Sequence, residues 1–292
     1  MNPITIGNET FNWGSRTYVM GILNITPDSF SGDGIMARGE AVQMAVEQAG
    51  EFLSAGADIL DVGGESTRPG STPVEAGDEI RRVVPVINAL AKEFPGVPLS
   101  IDTYKAEVAA EAFEAGARML NDVWGLRADP KLGGVAAKHE AAVVLMHNRS
   151  NPNNVLVREQ LGSAYLGAEY EDLIEDVKRE LMESAMRARQ AGIADERIIL
   201  DPGIGFGKTR EQNLKLINCL NEIRALGYPI LLGPSRKSFI GYTLNLPADQ
   251  RVEGTAAAVA VGIVRGADLI RVHDVREMVR VAKMTDALVR AP

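Results

Sequence analysis

Short runs of aliphatic and β-branched residues alternate with amphipathic helical patterns along almost the whole chain. This alternation is typical of βαβ units, in which buried parallel strands are joined by helices. It predicts eight strands, each followed by a helix, at Tyr18–Leu23, Asp58–Val62, Val97–Ile101, Arg118–Asn121, Ala142–Met146, Ile198–Leu200, Pro229–Leu232 and Asp268–Val272. Eight such units favour a (β/α)8 TIM barrel over a doubly wound sheet.

Turn and cap signals fill in the rest of the pattern. Gly7-Asn8 and Trp13-Gly14 predict a short N-terminal β-hairpin within residues 1–16. Thr72–Glu75 and Asp274–Glu277 read as capping boxes that open two of the helices. No linker, low-complexity tract or block of charge divides the chain, so we expect one domain over residues 1–292.

Composition sets the limits on partners and location. Of the 292 residues, 46% are hydrophobic, enough for a large core, and the net charge of −8 disfavours general nucleic-acid binding. Cys219 is the only cysteine, which excludes an internal disulfide and fits the cytoplasm. There is no signal-peptide pattern, and the longest apolar stretch, near Ala256–Val264, is too short to span a bilayer. We therefore expect a cytoplasmic protein with neither nucleic-acid nor membrane partners.

Polar or charged residues follow nearly every predicted strand. They are Asn24, Thr67-Arg68, Asp102, Asn121-Asp122, Met146-His147, Asp201, Ser235–Ser238, and Arg271 with His273. Because the carboxyl ends of barrel strands meet at one mouth, we expect these side chains to converge there. Ordinary roles stay open for single members: Asp102 as a cap of the next helix, Asn121-Asp122 as a turn, and Arg68 in a solvated loop.

One group of these residues suits a flat heterocycle that bears an amide and an amino group. Asp102, Asn121, Asp201 and Lys237 combine hydrogen-bond acceptors with a cationic donor, and no nucleophile adjoins the two carboxylates. Recognition of ring N–H groups is therefore favoured over hydrolysis. A general acid and base pair formed by Asp102 and Asp201 is the alternative.

A second group suits phosphates or a carboxylate. Arg68, Arg236, Arg271 and His273 form a cationic set, and arginine binds such oxygens with two parallel hydrogen bonds. Asn24 offers a neutral oxygen, which fits a single protein ligand for a Mg²⁺ ion held mainly by phosphate and water.

The glycine-rich segment Asp201–Lys208 looks at first like a phosphate loop. Pro202, however, stands where a P-loop needs glycine, and Lys208 stands where the dinucleotide fingerprint needs its third glycine. We therefore interpret the segment as a tight turn that lets the backbone pass beside a flat ring.

Seven motifs in the same order resemble those of the dihydropteroate synthase family, from about residue 17 to the end. They are Gly21–Ser31, Ala57–Gly70, Ser100–Thr103, Asn121-Asp122, Asp201–Lys208, Ser235–Ser238 and Arg271–His273. The resemblance implies a TIM-barrel transferase of folate biosynthesis. Such an enzyme condenses (7,8-dihydropterin-6-yl)methyl diphosphate with p-aminobenzoate to 7,8-dihydropteroate and diphosphate, uses Mg²⁺, is a target of sulfonamides and forms a homodimer.

The resemblance also implies roles for individual residues. The substrate-binding set is Thr67, Arg68, Asp102, Asn121, Met146, Asp201, Phe206, Arg236, Lys237, Ser238, Arg271, Val272 and His273; Asp102, Lys237 and Arg271 are catalytic, and Asn24 is the metal ligand. Asp102, Asn121, Asp201 and Lys237 would hold the pterin. Arg271 and His273 would hold the diphosphate, together with Asn24 through Mg²⁺. Ser238 would meet the aminobenzoate carboxylate, and Met146 and Phe206 would line the pocket.

The implied mechanism is dissociative: diphosphate leaves first, and Asp102 stabilises the resulting pterin methylene cation. Loops 24–38 and 63–73 would then close over the site. The chain departs from the family pattern at Asp33, whose role stays open, and in the loop 147–165, which lacks a usual glycine. The alternative function is a pterin- or methyltetrahydrofolate-binding barrel without synthase activity, although the Ser235–Ser238 and Arg271–His273 motifs count against it.

Overall fold

An eight-stranded parallel sheet forms the centre of the computed structural model, which describes residues 1–26, 38–68, 70–151, 154–158 and 161–290. The strands are β1 (Ile4–Ile6), β2 (Glu9–Phe11), β3 (Tyr18–Asn24), β4 (Ile59–Gly63), β5 (Leu99–Asp102), β6 (Met119–Asp122), β7 (Ala142–Met146), β8 (Val155–Arg158), β9 (Gly162–Tyr165), β10 (Ile198–Asp201), β11 (Leu231–Leu232) and β12 (Leu269–Val272). The helices are α1 (Arg38–Ala55), α2 (Ala76–Glu93), α3 (Ala106–Glu114), α4 (Leu132–Lys138), α5 (Leu173–Gln190), α6 (Arg210–Asn218), α7 (Leu220–Arg224), α8 (Ser238–Leu244), α9 (Val252–Val264) and α10 (Val275–Val289).

The eight parallel strands follow the order β10-β7-β6-β5-β4-β3-β12-β11. A parallel bridge between Leu200 and Ile230 joins the two ends of this row, and Leu200 N donates to Pro229 O at 2.9 Å. The sheet is thus a nearly closed barrel surrounded by helices, as the sequence predicts. β11 is shorter than predicted because Pro229 has no N–H and Ile230 N donates to the carboxylate of Asp268 instead.

Alternation along the strands decides which side chains reach the barrel interior. Ile59, Met119, Ile199 and Leu269 share one cluster with the N-terminal hairpin, whereas their neighbours in sequence, such as Leu60 and Leu120, pack in the large cluster with the helices. Two residues further along the same four strands stand Asp61, Asn121, Asp201 and Arg271, which therefore also face inward. These four polar side chains lie near the carboxyl ends of the strands. The apolar side chains of Ile59, Met119, Ile199 and Leu269 form the next layer toward the amino ends.

The predicted N-terminal hairpin closes the opposite end of the barrel. β1 and β2 pair in antiparallel register from Ile4 with Phe11 to Ile6 with Glu9. The Phe11 ring lies 4.7 Å from that of Tyr18 and 5.6 Å from that of Trp13, measured between centroids. Buried against the starts of the barrel strands, this aromatic group seals the amino end.

A second antiparallel hairpin, β8 with β9, follows β7 and was not predicted. Its sequence lacks a clear inward face, since Val157 is 71% exposed. Hydrogen bonds hold it instead: Arg251 donates to Leu161 O at 2.9 Å and Tyr242 to Gly162 O at 3.1 Å. Long-range contacts of this kind leave no periodic signal in the sequence.

Both predicted capping boxes are wrong, although the helices exist. The helix α2 begins at Ala76 rather than after Thr72, and Glu75 makes no side-chain cap. The last begins at Val275 as expected, but the Asp274 carboxylate pairs with Arg236 instead of capping. Among the helices of the described residues, none combines the length and hydropathy needed to cross a membrane.

Candidate active site at the barrel mouth

One guanidinium joins two carboxylates inside the barrel. Arg271 donates through Nε to Asp61 Oδ2 at 2.6 Å and through Nη2 to Asp102 Oδ2 at 2.6 Å. Asn121 Nδ2 donates to the same oxygen of Asp61 at 3.1 Å. Asp61 has no exposed surface and was missing from the predicted site, although a carboxylate at an inward position of a buried strand is a signal for it.

Burial governs the charge of these groups. It raises the pKa of Asp102 to about 7, with Arg271 acting against the rise and Asp61 adding to it. Burial also raises the pKa of Asp201, while Lys237 opposes the rise. In turn, burial lowers the pKa of Lys237 to about 8. The mouth therefore holds ionisable groups that titrate near neutral pH, a feature common at functional sites.

The glycines after Asp201 allow a backbone path that other residues would block. Gly203, Gly205 and Gly207 have φ angles of 72°, 86° and 65°, in the left-handed region. A Cβ at Gly203 would lie 1.8 Å from His147 O, and one at Gly205 would lie 2.9 Å from the Cδ of Lys237. The Asp201 side chain accepts from Gly203 N at 2.7 Å, which fixes the start of the turn.

Lys237 and Phe206 meet across this turn. Lys237 Nζ lies 4.7 Å from the centre of the Phe206 ring and donates to Ile204 O. The Tyr165 ring of β9 lies 6.1 Å from the Phe206 ring, and its hydroxyl donates to Thr67 O at 3.2 Å. The structure thus joins the glycine turn, the second hairpin and the loop after β4.

Lys208 is buried and stabilises the turn through hydrogen bonds to its backbone carbonyls, so it does not face a ligand. Its Nζ donates to Gly203 O at 3.0 Å and Phe206 O at 3.1 Å, and lies 2.9 Å from His147 Nδ1. Burial lowers the pKa of Lys208 to about 7 and that of His147 to about 4. The lysine that made the segment look like a phosphate loop is buried within the protein.

The cationic set splits into separate environments. Arg236 has a φ of 55° and pairs with Asp274, and Arg68 is exposed. The His273 ring contacts Ser235 Oγ at 3.0 Å, and burial lowers its pKa to about 3, so it is neutral at pH 7. Since Arg271 already pairs with carboxylates, the four groups do not form one cluster of free positive charge.

For two aspartates that end strands, the structure decides between a site role and an ordinary role as a helix cap or turn. The Asp122 carboxylate accepts from Trp124 N at 2.8 Å and from Leu126 N, so it stabilises an ordinary turn. Asp102 does not cap α3, since Lys105 holds the N-cap position and Asp102 pairs with Arg271.

Three further predicted residues lie at or beyond the ends of strands. Asn24 ends β3 half-buried beside Gly63, and Ser238 is the first residue of α8. The Val272 side chain packs among Val259, Met278 and other residues of the outer cluster, which leaves its backbone as the part near the mouth. Asp33 and most of loop 24–38 lie outside the described residues, as do Pro69, 152–153 and 159–160 of the other two loops.

The donor set limits how a metal could bind. No group of three or more His, Cys, Asp or Glu side chains with metal-binding geometry occurs among the residues that the structure describes. Asn24 offers an amide oxygen at the end of β3, a neutral ligand of a kind that Mg²⁺ accepts.

Glu65 anchors the loop after β4 and was also missed. It accepts from Tyr104 OH at 2.8 Å and from Val74 N at 3.3 Å, and Lys105 bridges it to the buried Glu79. Burial raises the pKa of Glu79, and Lys105 opposes the rise. These contacts hold the base of the loop that carries Thr67 and Arg68.

Comparison with known proteins gives consistent matches. The family model described as pterin binding enzyme matches residues 20–273. A dihydropteroate synthase of Clostridium beijerinckii is 52% identical over 98% of this chain and 99% of its own length. The crystal structure of a dihydropteroate synthase from Clostridium difficile, obtained in the presence of pteroic acid, has a TM-score of 0.86 and 47% identity, covering 96% of this chain and 99% of that one. That of Xanthomonas albilineans, with 4-aminobenzoic acid, has a TM-score of 0.84 and 41% identity, covering 95% and 94%.

Proposed function

The chain belongs to the pterin-binding enzyme family as a dihydropteroate synthase, a transferase of folate biosynthesis, and we propose which of its residues carry out the reaction. The substrates proposed are (7,8-dihydropterin-6-yl)methyl diphosphate and p-aminobenzoate, and the products are 7,8-dihydropteroate and diphosphate. The observation that carries the assignment is the meeting of Asp61, Asp102, Asn121 and Arg271 in one hydrogen-bonded group inside the barrel.

The pterin ring binds to Asn121, Asp201 and Lys237. Asp201 is 5% exposed and supplies an acceptor for ring N–H groups, while Lys237 and Asn121 supply donors. Lys237 stands against the Phe206 ring, so a flat heterocycle gains an apolar contact beside its polar ones. The glycine turn allows this close approach because it carries no side chains at positions 203 and 205.

The reaction begins with cleavage of the bond between the pterin methylene carbon and the diphosphate oxygen. The electron pair leaves with diphosphate, and the ionised carboxylate of Asp102 stabilises the cation that remains. Arg271 holds Asp102 in place and offers charge to the departing diphosphate, with His273 donating as a neutral ring. The aminobenzoate nitrogen then attacks the methylene, forms the new C–N bond and gives up a proton to solvent.

The second substrate binds at the rim. We assign Thr67, Arg68 and Ser238 to the entrance: Thr67 O accepts from Tyr165, whose ring lies 6.1 Å from that of Phe206, and Ser238 is the first residue of α8. Met146, Arg236 and Val272 complete the lining, the last through its backbone. Tyr165 adds a wall that the family motifs do not include.

Asn24 would hold Mg²⁺ together with the diphosphate and water, and the metal would neutralise charge on the leaving group. The experiment that tests the function measures dihydropteroate formation from the two substrates, with and without a chelator. We expect product only when Mg²⁺ is present, and competition by sulfonamides against p-aminobenzoate. Binding of the pterin diphosphate without product formation would contradict the proposal and favour a binding module.

The domain and assembly proposals rest on packing. One domain spans residues 1–292, and a second copy of the chain binds through α9 and α10, which carry exposed apolar side chains. Val264, Met284 and Leu288 are 58%, 60% and 69% exposed. Light scattering should give the mass of a dimer, and Met284→Glu with Leu288→Glu should give that of a monomer. The lone cysteine supports a cytoplasmic location, which cell fractionation would test.

A further inference from the structure

One arginine outside the proposed substrate set joins three segments of the chain near the barrel mouth. Arg251 lies just before α9 and is 3% exposed. Its Nε donates to Leu246 O at 3.0 Å, its Nη1 to Arg236 O at 2.9 Å and its Nη2 to Leu161 O at 2.9 Å. These carbonyls lie after α8, between β11 and α8, and between β8 and β9. Nothing in the proposed reaction uses Arg251.

The shape of the guanidinium makes these three contacts possible at once. Its nitrogens point in fixed directions from one plane, whereas lysine has a single nitrogen. Gly241 of α8 leaves room for the group, because a Cβ there would lie 2.6 Å from Arg251 Nε and closer still to Nη2. Burial of a charge is costly unless hydrogen bonds replace its hydration. The buried side chain therefore acts as a fixed cross-link between the three segments.

The contact with Arg236 bears on the pterin pocket. Arg236 has a φ of 55°, a left-handed angle that a residue with a side chain keeps only when its surroundings hold it. Its N donates to Thr255 Oγ1 at 3.1 Å, and its carbonyl accepts from Arg251. Both backbone groups of Arg236 are thus held, and they set the direction in which the next residue, Lys237, reaches the Phe206 ring.

The contact with Leu161 bears on the rim. Leu161 directly precedes β9, and the next carbonyl, that of Gly162, accepts from Tyr242 of α8 at 3.1 Å. Two neighbouring carbonyls of the hairpin are therefore held from the same side. The far end of β9 carries Tyr165, whose hydroxyl donates to the loop after β4. Arg251 is in this way connected to the side of the mouth assigned to the second substrate.

We propose that Arg251 is a positioning residue of the proposed reaction, which holds the β8–β9 hairpin and the loop of Lys237 in one fixed arrangement. The two segments differ in their other support. The Lys237 loop is also held through Thr255 and the first turn of α8, whereas the hairpin has an exposed face at Val157. Loss of the guanidinium should therefore release the hairpin more, and weaken p-aminobenzoate more than the pterin diphosphate. The identity of the substrates rests on the proposed function; the cross-link does not.

Steady-state kinetics of Arg251→Lys test this difference. The variant keeps the positive charge but removes the fork that reaches three carbonyls. The KM for p-aminobenzoate should rise about tenfold, the loss expected from one charge-assisted hydrogen bond, while kcat and the KM for the pterin diphosphate change less. Arg118→Lys is the matched control, since Arg118 also donates to backbone carbonyls, those of Phe113 and Ala117, and it should leave both KM values unchanged. Equal changes in the two KM values of Arg251→Lys, or none, would overturn the proposal.

Tyr165 provides a second readout, which a general loss of stability would not change. If Arg251 acts through the hairpin, Tyr165→Phe should raise the KM for p-aminobenzoate much less in the Arg251→Lys variant than in the unaltered chain. Independent effects, which multiply, would contradict a route through the hairpin and overturn the proposal.

Hydrogen exchange tests the cross-link without any substrate. The backbone amides of residues 161–165 should exchange faster in Arg251→Lys than in the unaltered chain or in Arg118→Lys, and equal exchange would overturn the proposal. If Arg251→Lys does not fold, Gly241→Ala, whose Cβ displaces the same guanidinium, takes its place. An unaltered chain that forms no dihydropteroate would contradict the proposed function, and the exchange comparison then decides by itself whether Arg251 holds the hairpin.

Discussion

Arg271 Nε lies 2.6 Å from the Oδ2 of Asp61, and this ion pair stands inside the barrel where Asp61 has no exposed surface. A buried carboxylate that loses the cation paired with it is expected to destabilise the fold by roughly 3–5 kcal/mol. We therefore expect Arg271→Gln to lower the free energy of unfolding by that amount in urea titrations. Adding Asp61→Asn should recover part of the loss because the unpaired charge is then removed. Equal stability of the single and double variants would contradict the expected cost of the unpaired Asp61 charge.

Asp201 gives a prediction about ligand affinity. Asp201→Asn keeps the shape but replaces a buried acceptor, so the free energy of pterin binding should weaken by about 1.5–3 kcal/mol. Isothermal calorimetry with the pterin substrate measures this change. Asp195→Asn, a similar change before the same strand on an exposed side chain, is the control and should bind normally. Unchanged affinity in the Asp201→Asn variant would remove Asp201 from the pterin site.

The pH dependence of the reaction should reflect Asp102. Burial raises its pKa to about 7, so the carboxyl gains its proton as pH falls through 7 and no longer stabilises a cation. We expect kcat/KM to fall on the acid side of about pH 7, and Asp102→Asn to lose this limb while keeping low activity throughout. The raised pKa also means that the contribution of this group to stability is largest at low pH and is lost as pH rises through 7. Persistence of the acid limb in the variant would assign it to another group.

Gly203 and Gly227 form a matched pair for testing the glycine turn. Both have positive φ, 72° and 90°, so an alanine at either costs about 1–2 kcal/mol from the left-handed backbone. At Gly227 a Cβ would meet nothing within 4 Å, whereas at Gly203 it would lie 1.8 Å from His147 O. Gly203→Ala should therefore lower stability and pterin affinity well beyond Gly227→Ala. The unfolding temperatures of the two variants, measured side by side, test this: equal temperatures would contradict the predicted clash with His147 O.

Tyr165 links the second hairpin to the loop that carries Thr67. Tyr165→Phe removes the hydroxyl that donates to Thr67 O, a loss of about 0.5–1.5 kcal/mol. We expect the KM for p-aminobenzoate to rise a few-fold while the pterin affinity stays the same. Tyr228→Phe, which removes a hydroxyl bonded to Asp195 away from the mouth, is the control. A parallel rise in both variants would point to general loosening of the fold.

Alternation and strand-end chemistry made the barrel and the inward positions of Asn121 and Asp201 predictable from the sequence. The same alternation contains the signal for Asp61, whose neighbours Leu60 and Val62 pack outward. The pairing of Arg271 with carboxylates was not predictable, because the partners lie 210 and 169 residues away. Local motifs also misplaced a helix start after Thr72, where Glu65 holds the chain through Val74 N.

The hairpin that closes the amino end of the barrel affects the order in which substrates bind and products leave. Phe11 and Tyr18 fill the floor, so the ligands have to enter and leave on the side of Asp102 and Phe206. In a pocket with one opening, the ligand that sits deepest arrives first and departs last. With the pterin in the pocket proposed above, we expect it to bind before p-aminobenzoate, diphosphate to leave past the rim, and the product to leave through the same opening.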